Sequence, residues 1–536
     1  MHGKKIGFLE AFSIGVGGMI GGGIFAVLGL TVLLAKGAAP IAFLLAGLIA
    51  LITAYSYAKL SVRFPSEGGT IEFVVRAFGP GLFSAWLNTL LLASYIIMLS
   101  LYSYAFGSYG AVLLAGVENP VLKKILTAGV IIFFTGLNLL GAYIVGKAED
   151  LMVAFKVFIL LFFAALGFMT IDPSRLSPAT YPSFFHIFTG GLIIFLAYEG
   201  FELIANTAQD VYDPEKVLPK AFYAAVTFVI FVYVLVALVA VGNLDPEEVV
   251  KAKDYVLAEA AKPFLGKLGF VLIGIAALVS TASAINATLY GTARISYLVA
   301  KYGELPRVFA KKIWKGAYEG LLILAALTLI AALSFDLENI SVAGSLGFLL
   351  VFAAVNVANF RLAHQTRANR FLAALGAFSC LVSAAVLVWH NLKTNPQSLY
   401  SSAWVVGGTC VFELFYRLIT KRRLSSFLDW RLREKEEFLD QFERHLARIT
   451  QAILREFREA EVFLMDELAE GRREVASKLH LSVVVPEAPP KHLQPKSEEK
   501  IRKQSGISPH HPVKISFVAK EEAKKYLERR PHKKIA

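Results

Sequence analysis

Near the start of the chain, six glycines fall within nine residues in the sequence Gly15-Val-Gly17-Gly18-Met-Ile-Gly21-Gly22-Gly23-Ile24-Phe25. A glycine in a helix interior costs about 1 kcal/mol relative to alanine, so this stretch makes a poor continuous helix. Small residues four apart also let two helices pack closely, but the consecutive glycines Gly21–Gly23 suit an unwound segment better. The sequence therefore predicts a helix that is broken inside an apolar span.

A second interrupted stretch reads Phe195-Leu196-Ala197-Tyr198-Glu199-Gly200-Phe201-Glu202 and lies in the sixth apolar segment. A charge near the middle of a span costs about 2.5–3.5 kcal/mol on insertion scales. Glu202 is expected nearer the cytoplasmic end, in contact with water, so Glu199 is the more informative carboxyl. Glu199 is either a neutral or hydrogen-bonded side chain between helices, or part of a binding site.

The two interruptions lie five spans apart, and corresponding breaks of this kind mark the binding site of transporters built from inverted repeats. The N-termini of half helices offer free N–H groups to an anion, and the carbonyls that precede a break can hold a cation. A zwitterion needs both kinds of helix end, and an α-amino acid is the simplest such solute. The sequence therefore predicts a carrier for a solute that resembles an amino acid.

Composition places the chain in a membrane. Of its 536 residues, 56% are hydrophobic and 18% are charged, whereas soluble domains carry about 25% charged residues. A helical span needs about 20 apolar residues, and each span must be helical because lipid cannot pair with the backbone. The twelve predicted spans are Ile6–Leu34, Ala38–Val62, Gly81–Ala115, Ile125–Val145, Leu151–Ile171, Phe185–Ala208, Ala221–Gly242, Leu268–Ala300, Gly320–Phe335, Ile340–Leu362, Phe371–His390 and Ser401–Ile419.

The formal net charge of +13 is distributed along the chain as in a membrane protein, and it does not indicate binding to nucleic acid. Lysine and arginine concentrate in alternate loops and after Lys421, which is the pattern of positively charged cytoplasmic loops. We therefore expect a multi-pass protein of the cytoplasmic membrane with both termini in the cytoplasm. The alternative for the basic C-terminal region is a surface for anionic lipid heads.

Three regions are predicted: a transmembrane transporter domain over 1–420, a cytoplasmic amphipathic or coiled-coil helix over 421–480, and a Pro-rich, charged tail over 481–536. In the tail, a short strand at Val513–Val518 and a short helix at Glu521–Arg529 are each too small to bury a core alone. The helix carries an apolar stripe with alternating spacings of four and three residues, which either pairs with a second subunit, giving a homo-oligomer, or lies against the bundle. The stripe consists of Leu428, Leu432, Leu439, Phe442, Leu446, Ile449 and Ile453, with Lys435 in the remaining place.

No motif of an enzyme, a cofactor site or a metal site stands out. The sequence has no nucleotide loop, no His-Glu-x-x-His and no Gly-x-Ser-x-Gly at a strand-to-helix turn. The two cysteines, Cys380 and Cys410, lie in apolar stretches without metal-ligand spacing and are interpreted as small apolar fillers. We expect no catalytic residue, no cofactor and no metal ion.

Four groups of motifs occur in order between residues 15 and 306. They are Gly17–Phe25; Tyr57–Pro65 with Glu67-Gly-Gly69 and Ala77-Phe-Gly79; Phe195–Phe201 with Asp210 and Asp213–Pro219; and Asn286, Gly291, Arg294 and Ala300–Pro306. Together they resemble the amino acid–polyamine–organocation superfamily of transporters. The resemblance implies an all-α integral membrane fold of twelve transmembrane helices, with a five-plus-five inverted-repeat core, two extra helices and an alternating-access mechanism.

The resemblance also implies a substrate site. Backbone groups of the first break would meet the substrate carboxylate and part of the amino group, and carbonyls of the second break would complete the amino site. Tyr198 or Phe201 would act as an aromatic gate, and Tyr102 would contact the substrate; core packing is the alternative for each ring. The implied residues are Ile20, Gly21, Gly22, Gly23, Ile24, Tyr102, Leu196, Ala197, Tyr198, Glu199, Gly200 and Phe201.

Two of these positions depart from the family's pattern. Gly22 stands where serine or alanine is common, and Glu199 stands where an apolar or small residue is common. An acid beside the amino-group site would favour cationic substrates or take up a proton. Uptake of lysine or arginine that is unchanged by Glu199→Gln would remove the first of these two hypotheses.

Lys156 lies inside the apolar fifth span, where a charged residue indicates a functional site. Snorkelling is the alternative, since the cytoplasmic end is only about two turns away. In proton-coupled relatives a lysine at this place occupies the room of a sodium ion, and Ser280 and Ser283 resemble the remaining wall of that site. Because burial favours a neutral amine, Lys156 could load and release a proton. The resemblance therefore implies coupling to protons.

Two alternative functions stay open. A polyamine or other organocation carrier would share the fold, and a sensor with a transporter fold would signal through the C-terminal region. Binding without net movement of solute across proteoliposomes would support the sensor.

Overall fold

The structure, a computed structural model, describes residues 6–66, 68–79, 81–140, 146–301, 305–311, 319–420, 442–457, 459–465, 479–486, 489–490, 494–505, 513–527 and 532–534. The chain divides into two compact units, Met1–Leu424 and Ser425–Ala536. Each unit is described by itself.

The first unit is helical. Its α-helices are α1 (Phe8–Met19), α2 (Gly23–Ala35), α3 (Ala39–Arg63), α4 (Thr70–Phe78), α5 (Leu82–Ala115), α6 (Pro120–Leu140), α7 (Gly146–Gly167), α8 (Phe184–Ile194), α9 (Pro214–Asn243), α10 (Pro246–Lys251), α11 (Val256–Ala260), α12 (Lys262–Lys301), α13 (Glu319–Ser334), α14 (Leu337–Arg361), α15 (Ala363–Thr366), α16 (Arg370–Thr394) and α17 (Pro396–Thr420). Short 3-10 helices occupy Lys36–Ala38, Phe168–Thr170, Pro173–Leu176, Pro178–Thr180, Phe195–Tyr198, Phe201–Thr207 and Arg307–Ala310.

Ten helical stretches within the described residues are long and apolar enough to cross a membrane, which confirms a multi-pass helical membrane protein. The count differs from the predicted twelve at two places. The stretch Gly23–Arg63 counts once, because only the 3-10 turn Lys36–Ala38, which begins at Lys36 with a φ of 49°, separates α2 from α3. The apolar helices Phe8–Met19 and Glu319–Ser334 fall short of the length of a full span.

Burial separates the inner helices of this unit from the outer ones. The apolar windows of Phe184–Thr207 and Leu337–Arg361 are 89% buried, whereas those of Pro120–Leu139 and Pro396–Ile419 are 22% buried. Irregular backbone at membrane depth is tolerated only where protein surrounds it. The interrupted sixth span therefore lies in the interior of the bundle, where a break in its hydrogen bonds can be satisfied.

Polar side chains join the inner helices α3 and α14. The Ser56 hydroxyl donates to Asn356 Oδ1 (2.7 Å), the Asn356 amide donates to Thr53 Oγ1 (3.0 Å), and the Asn359 amide donates to the Ser56 hydroxyl (3.2 Å). Hydrogen bonds of this kind hold membrane helices together where lipid offers them no partner. These bonds hold α3 and α14 together, and the 3-10 helix Phe195–Tyr198 packs against both.

The second unit contains a four-stranded sheet. Its strands are β1 (Glu461–Met465), β2 (Leu479–Val485), β3 (Val513–Ala519) and β4 (His532–Lys534), in the spatial order β3-β2-β1-β4. Strand β1 pairs antiparallel with β2 and β4, and β2 pairs parallel with β3. The helices are α18 (Phe442–Glu456), α19 (Gln494–Ser505), which lies in the β2–β3 crossover, and α20 (Lys520–Leu527).

This unit differs from the predicted helix over 421–480 and tail over 481–536. Both faces of β1 are buried: Val462 and Leu464 contribute to one apolar core and Phe463 and Met465 to a second. A strand covered on both faces reads as a plain apolar run without alternation, so its period gives no signal. The short strands, which bury little separately, build a core together.

The apolar stripe of the predicted helix packs within its own unit. Leu446, Ile449 and Ile453 of α18 lie in one core with Leu481 and Val483 of β2. A helix with one apolar face can cover a sheet as well as a second helix, and the stripe alone does not distinguish the two partners. The stripe positions Leu428, Leu432, Lys435 and Leu439 lie outside the described residues.

Candidate functional site

The first predicted break is present and short. Helix α1 ends at Met19 and α2 begins at Gly23, so that only residues 20–22 leave the helical path. None of these three residues has a positive φ, and the glycines are needed for space. A Cβ on Gly22 would lie 2.5 Å from Tyr102 Cδ1, and one on Gly23 would lie 2.7 Å from Ala197 Cα. Close packing and unwinding therefore both explain the glycines.

The second break separates two 3-10 helices of the sixth span. Phe195–Tyr198 ends at Glu199, whose ψ is 149°, and Phe201–Thr207 follows Gly200, whose φ is +118°. Only glycine adopts this φ without strain. A Cβ on Gly200 would collide with the Gly18 carbonyl carbon, and one on Gly18 would lie 2.7 Å from the Gly200 oxygen. The second break therefore touches the last turn of α1 backbone to backbone.

Side chains from three other helices satisfy the backbone at the breaks. Lys156 Nζ of α7 donates to the Gly17 carbonyl (3.0 Å), and Ser280 Oγ of α12 donates to the Gly21 carbonyl (2.8 Å). The Tyr233 hydroxyl of α9 lies 2.6 Å from the Met19 carbonyl oxygen and 3.1 Å from that of Ala197. Carbonyls at helix ends lack intrahelical partners, and these donors replace the missing bonds.

Lys156 is buried, with 1% of its surface exposed. Its amine donates to the carbonyl of Gly17, one turn before the first break. The structure therefore gives the buried amine a specific acceptor at the first broken helix, where snorkelling would place it in the head-group region.

A cavity of about 60 Å³ lies against both broken helices. The walls come from Gly17 and Gly18 of α1, from Tyr95 and Tyr102 of α5, from the second break, and from α12 between Ser283 and Ile295. Of the predicted site residues, Tyr102, Glu199, Gly200 and Ser283 line this cavity. The predicted residues outside its lining are Ile20, Gly21, Gly22, Gly23, Ile24, Leu196, Ala197, Tyr198, Phe201, Lys156 and Ser280.

The two predicted gate residues are packed in the core in this conformation. The Tyr198 hydroxyl donates to the Phe43 carbonyl (2.9 Å), and its ring packs 5.1 Å from that of Tyr233. The Phe201 ring packs against Tyr57 at 5.5 Å and Phe352 at 5.3 Å. Both side chains are fully buried. Core packing, the alternative interpretation, describes their contacts here.

A polar group that the sequence does not predict lies behind the second break. Glu202 is buried, not hydrated as expected, and accepts hydrogen bonds from the Tyr95 hydroxyl (3.0 Å) and the Gly200 N–H (2.8 Å). Tyr95 lies seven residues before Tyr102, and this spacing places both on one helix face. That spacing is the signal that could have added Tyr95 to the predicted site.

The described residues contain no group of three His, Cys, Asp or Glu side chains that could hold a metal ion. An interior cavity between two broken apolar helices is the site that defines membrane transporters of the discontinuous-helix class.

The chain belongs to the amino acid permease family, whose model matches residues 6–413. It is 37% identical over 430 residues to an uncharacterized protein of Methanocaldococcus jannaschii, covering 79% of this chain and 98% of that relative. It is 33% identical to the inner membrane transport protein YbaT of Escherichia coli (78% and 97% covered) and 25% identical to the methylthioribose transporter of Bacillus subtilis (76% and 93%). The family resemblance of the motifs is confirmed, and the chain is an amino acid permease-type transporter.

Proposed function

We propose that the chain is a secondary active transporter that moves amino acids or similar amines across the cytoplasmic membrane by alternating access, coupled to protons. Twelve spans make up the proposed carrier. The first repeat consists of α1 with α2, then α3, α5, α6 and α7; the second consists of α8 with its 3-10 helices, then α9, α12, α13 and α14; the extra helices are α16 and α17. The breaks then fall in the first span of each repeat, as an inverted-repeat carrier requires.

The position of the cavity supports an inward-facing state. Its lining reaches Ile14 near the start of α1, Leu203 after the second break, and Ile295 near the end of α12. With both termini in the cytoplasm, all three residues lie on the cytoplasmic side of the breaks. On the other side, α10 and α11 pack against α2, which closes the path from outside.

One observation carries the coupling proposal, namely the bond from Lys156 Nζ to the Gly17 carbonyl at 3.0 Å. A charged amine forms a stronger hydrogen bond than a neutral one. Loss of the proton weakens the link between α7 and the first broken helix, and this links the protonation of Lys156 to the movement of α1. Ser280, bound to the Gly21 carbonyl, holds the other side of the break.

Uptake into proteoliposomes tests this proposal. A pH gradient is expected to drive uptake of at least one amino acid, and Lys156→Ala is expected to lose gradient-driven uptake by roughly tenfold or more, a typical size for a coupling free energy. Binding measured by thermal shift is expected to survive in part. Lys253→Ala, which removes a surface lysine paired with Glu338, is the matched control and should transport normally.

Sodium-driven uptake by the unmodified protein in the absence of a pH gradient would contradict proton coupling.

A second candidate function is a sensor, and the folded second unit, Ser425–Ala536, is the observation that favours it. A solute that binds with no flux under any imposed gradient would support the sensor. A polyamine or other organocation as the transported solute would keep the mechanism and change the substrate.

A further inference from the structure

The connection between α9 and α12 covers one end of α2. It carries the short helices α10 and α11, and residues 246–260 form a lid that packs against α2 on the outward side of the breaks. An added Cβ on Gly29 would collide with the Lys253 carbonyl oxygen and would lie 2.9 Å from Val256 Cγ2. Because this contact leaves no space for a solute, the outward path opens only when the lid moves away from α2.

One ion pair of the lid is almost fully enclosed. Lys123, in the first turn of α6, donates from Nζ to Asp254 Oδ2 at 2.6 Å, and the two side chains are 12% and 13% exposed. Loss of one partner would leave the other charge unpaired in a site that is mostly shielded from water, which is costly. The intact pair therefore holds the lid against α6.

Helix α5 supplies further partners for this pair. The Tyr104 hydroxyl donates to Asp254 Oδ2 (3.1 Å), and the Ser108 hydroxyl lies 3.5 Å from the same oxygen. The ring of Tyr104 faces Lys123, whose Nζ lies 3.8 Å from the ring centroid, a distance typical of a cation–π interaction. Tyr104 therefore contacts both charges, one through its hydroxyl and the other through its ring.

The two helices that carry Lys123 and Tyr104 pack closely together. An added Cβ on Gly107 of α5 would collide with the Thr127 hydroxyl of α6 and would lie 2.6 Å from the Lys123 carbonyl oxygen. Small residues allow this close approach of helix backbones in membranes. Since α5 and α6 form one packed body, movement of the lid would separate Asp254 from both of its main partners.

The neighbouring residue of the lid forms a weaker ion pair. Lys253 Nζ lies 3.7 Å from Glu338 Oε2 of α14, and these side chains are 40% and 30% exposed. Exposed ion pairs contribute little, because water and salt screen them. Of these two adjacent pairs, the enclosed pair of Asp254 is therefore expected to resist opening of the lid.

We propose that Asp254, Lys123 and Tyr104 form a lock that keeps the outward path shut and breaks once in every transport cycle. The inference rests on the proposed alternating-access function and gives these three residues a positioning role outside the two breaks. Both charges gain water when the lid lifts, so the lock opens without leaving a charge buried. The lock thereby sets the fraction of the empty carrier that faces outward.

Cysteine labelling in the absence of any solute tests the lock. In the full-length protein with Cys380 and Cys410 replaced by alanine, Ala26→Cys provides a reporter on α2. Ala26 is 1% exposed and lies three residues before Gly29, on the same face of the helix. A membrane-impermeant methanethiosulfonate reagent, added to intact cells, is expected to reach this cysteine only while the outward path is open.

Lys123→Met and Asp254→Asn are each expected to speed this labelling by at least about fivefold, the lower end of the usual coupling between sites. Tyr104→Phe keeps the ring and loses one hydrogen bond, so a smaller increase is expected. Lys253→Ala, which removes the exposed pair beside the lock, is the matched control and should be labelled at the unmodified rate.

Charge reversal distinguishes a lock from a general loss of structure. Lys123→Asp and Asp254→Lys each bring like charges together, so each variant should be labelled fast. The double variant restores an opposite pair and should be labelled slowly again, as expected for two residues that interact directly. Thermal unfolding in detergent checks that the single variants are folded.

Single variants that are labelled as slowly as the unmodified protein would overturn the lock, and so would a double variant that is labelled as fast as the single ones. If the unmodified protein still takes up an amino acid under a pH gradient, the lock fails and the proposed transport function stands. If no amino acid or amine crosses the membrane under any gradient, the transport function itself fails, whatever the labelling shows.

Discussion

Gly18 and Gly200 restrict each other at the point where the two broken helices meet. Each lacks the atom that would collide with the other's backbone, and Gly200 also has a φ of +118°. Most glycines in membrane helices are interchangeable with alanine where space is open, because alanine is the better helix former. Gly18 and Gly200 cannot be replaced by alanine in this way, because the added Cβ would meet backbone atoms, which cannot rotate away as a side chain could.

We predict that Gly200→Ala destabilises the protein by about 3 kcal/mol or more, since backbone strain and a steric clash each cost about 1–3 kcal/mol. A lower unfolding temperature in detergent and loss of uptake are the expected results. Gly407→Ala in α17 is the matched control, because nothing lies within 4 Å of its added Cβ. Equal thermal stability of the two variants would rule out the close contact.

At the scale of elements, a broken helix hides which side chains face its cavity. A regular helix repeats every 3.6 residues, so the direction of one side chain gives the direction of the next. The 3-10 segments on either side of Glu199 change that repeat. This is why Tyr198 and Phe201, predicted as a gate, point into the core, while Tyr95 and Tyr102 on the regular helix α5 keep the spacing that the sequence shows.

The sheet of the second unit gives the element-scale prediction. Val483 lies in β2 and is fully buried in the core formed with α18. Val483→Asp would bury an unpaired charge, which proteins tolerate poorly, so β1, β2 and β3 are expected to lose protection against amide hydrogen exchange in the full-length protein.

Gln451→Asp is the matched control for this change, because it adds the same charge at an exposed position of α18. Its exchange pattern should match that of the unmodified protein. Unchanged protection in Val483→Asp would contradict the buried position of this residue.

At the scale of the whole molecule, the sequence predicts an orientation that labelling can test. In a background in which Cys380 and Cys410 are replaced by alanine, single cysteines are introduced at the exposed positions Lys124 and Lys216. With both termini in the cytoplasm, an impermeant maleimide should label Lys124→Cys in intact cells and Lys216→Cys only after permeabilisation. The reverse pattern would invert the proposed topology.

The membrane fold was predictable because an apolar composition indicates lipid surroundings. The two breaks were predictable because glycines inside a span indicate an interrupted helix. The lining of the cavity was less predictable from the sequence. The sequence places Glu202 in contact with water, whereas in the structure it is buried and bound to Tyr95, 107 residues away. The strand at Val513–Val518 gives a local signal in the sequence, but its pairing with the segment around Leu481 gives none, because that pairing joins residues far apart in the chain. Contacts between distant residues are the part that local patterns do not encode.

The contact between Gly18 and Gly200 also decides where this carrier can be redesigned. A library of variants at either break would return mostly misfolded protein, whatever solute is selected for. The wall supplied by α12 has no such restriction, since Ser283, Ala284, Ala287 and Thr288 line the same cavity from a regular part of α12, well past its kink at Gly266. New solute preferences are therefore best sought by changing this wall, with the two broken helices left unaltered.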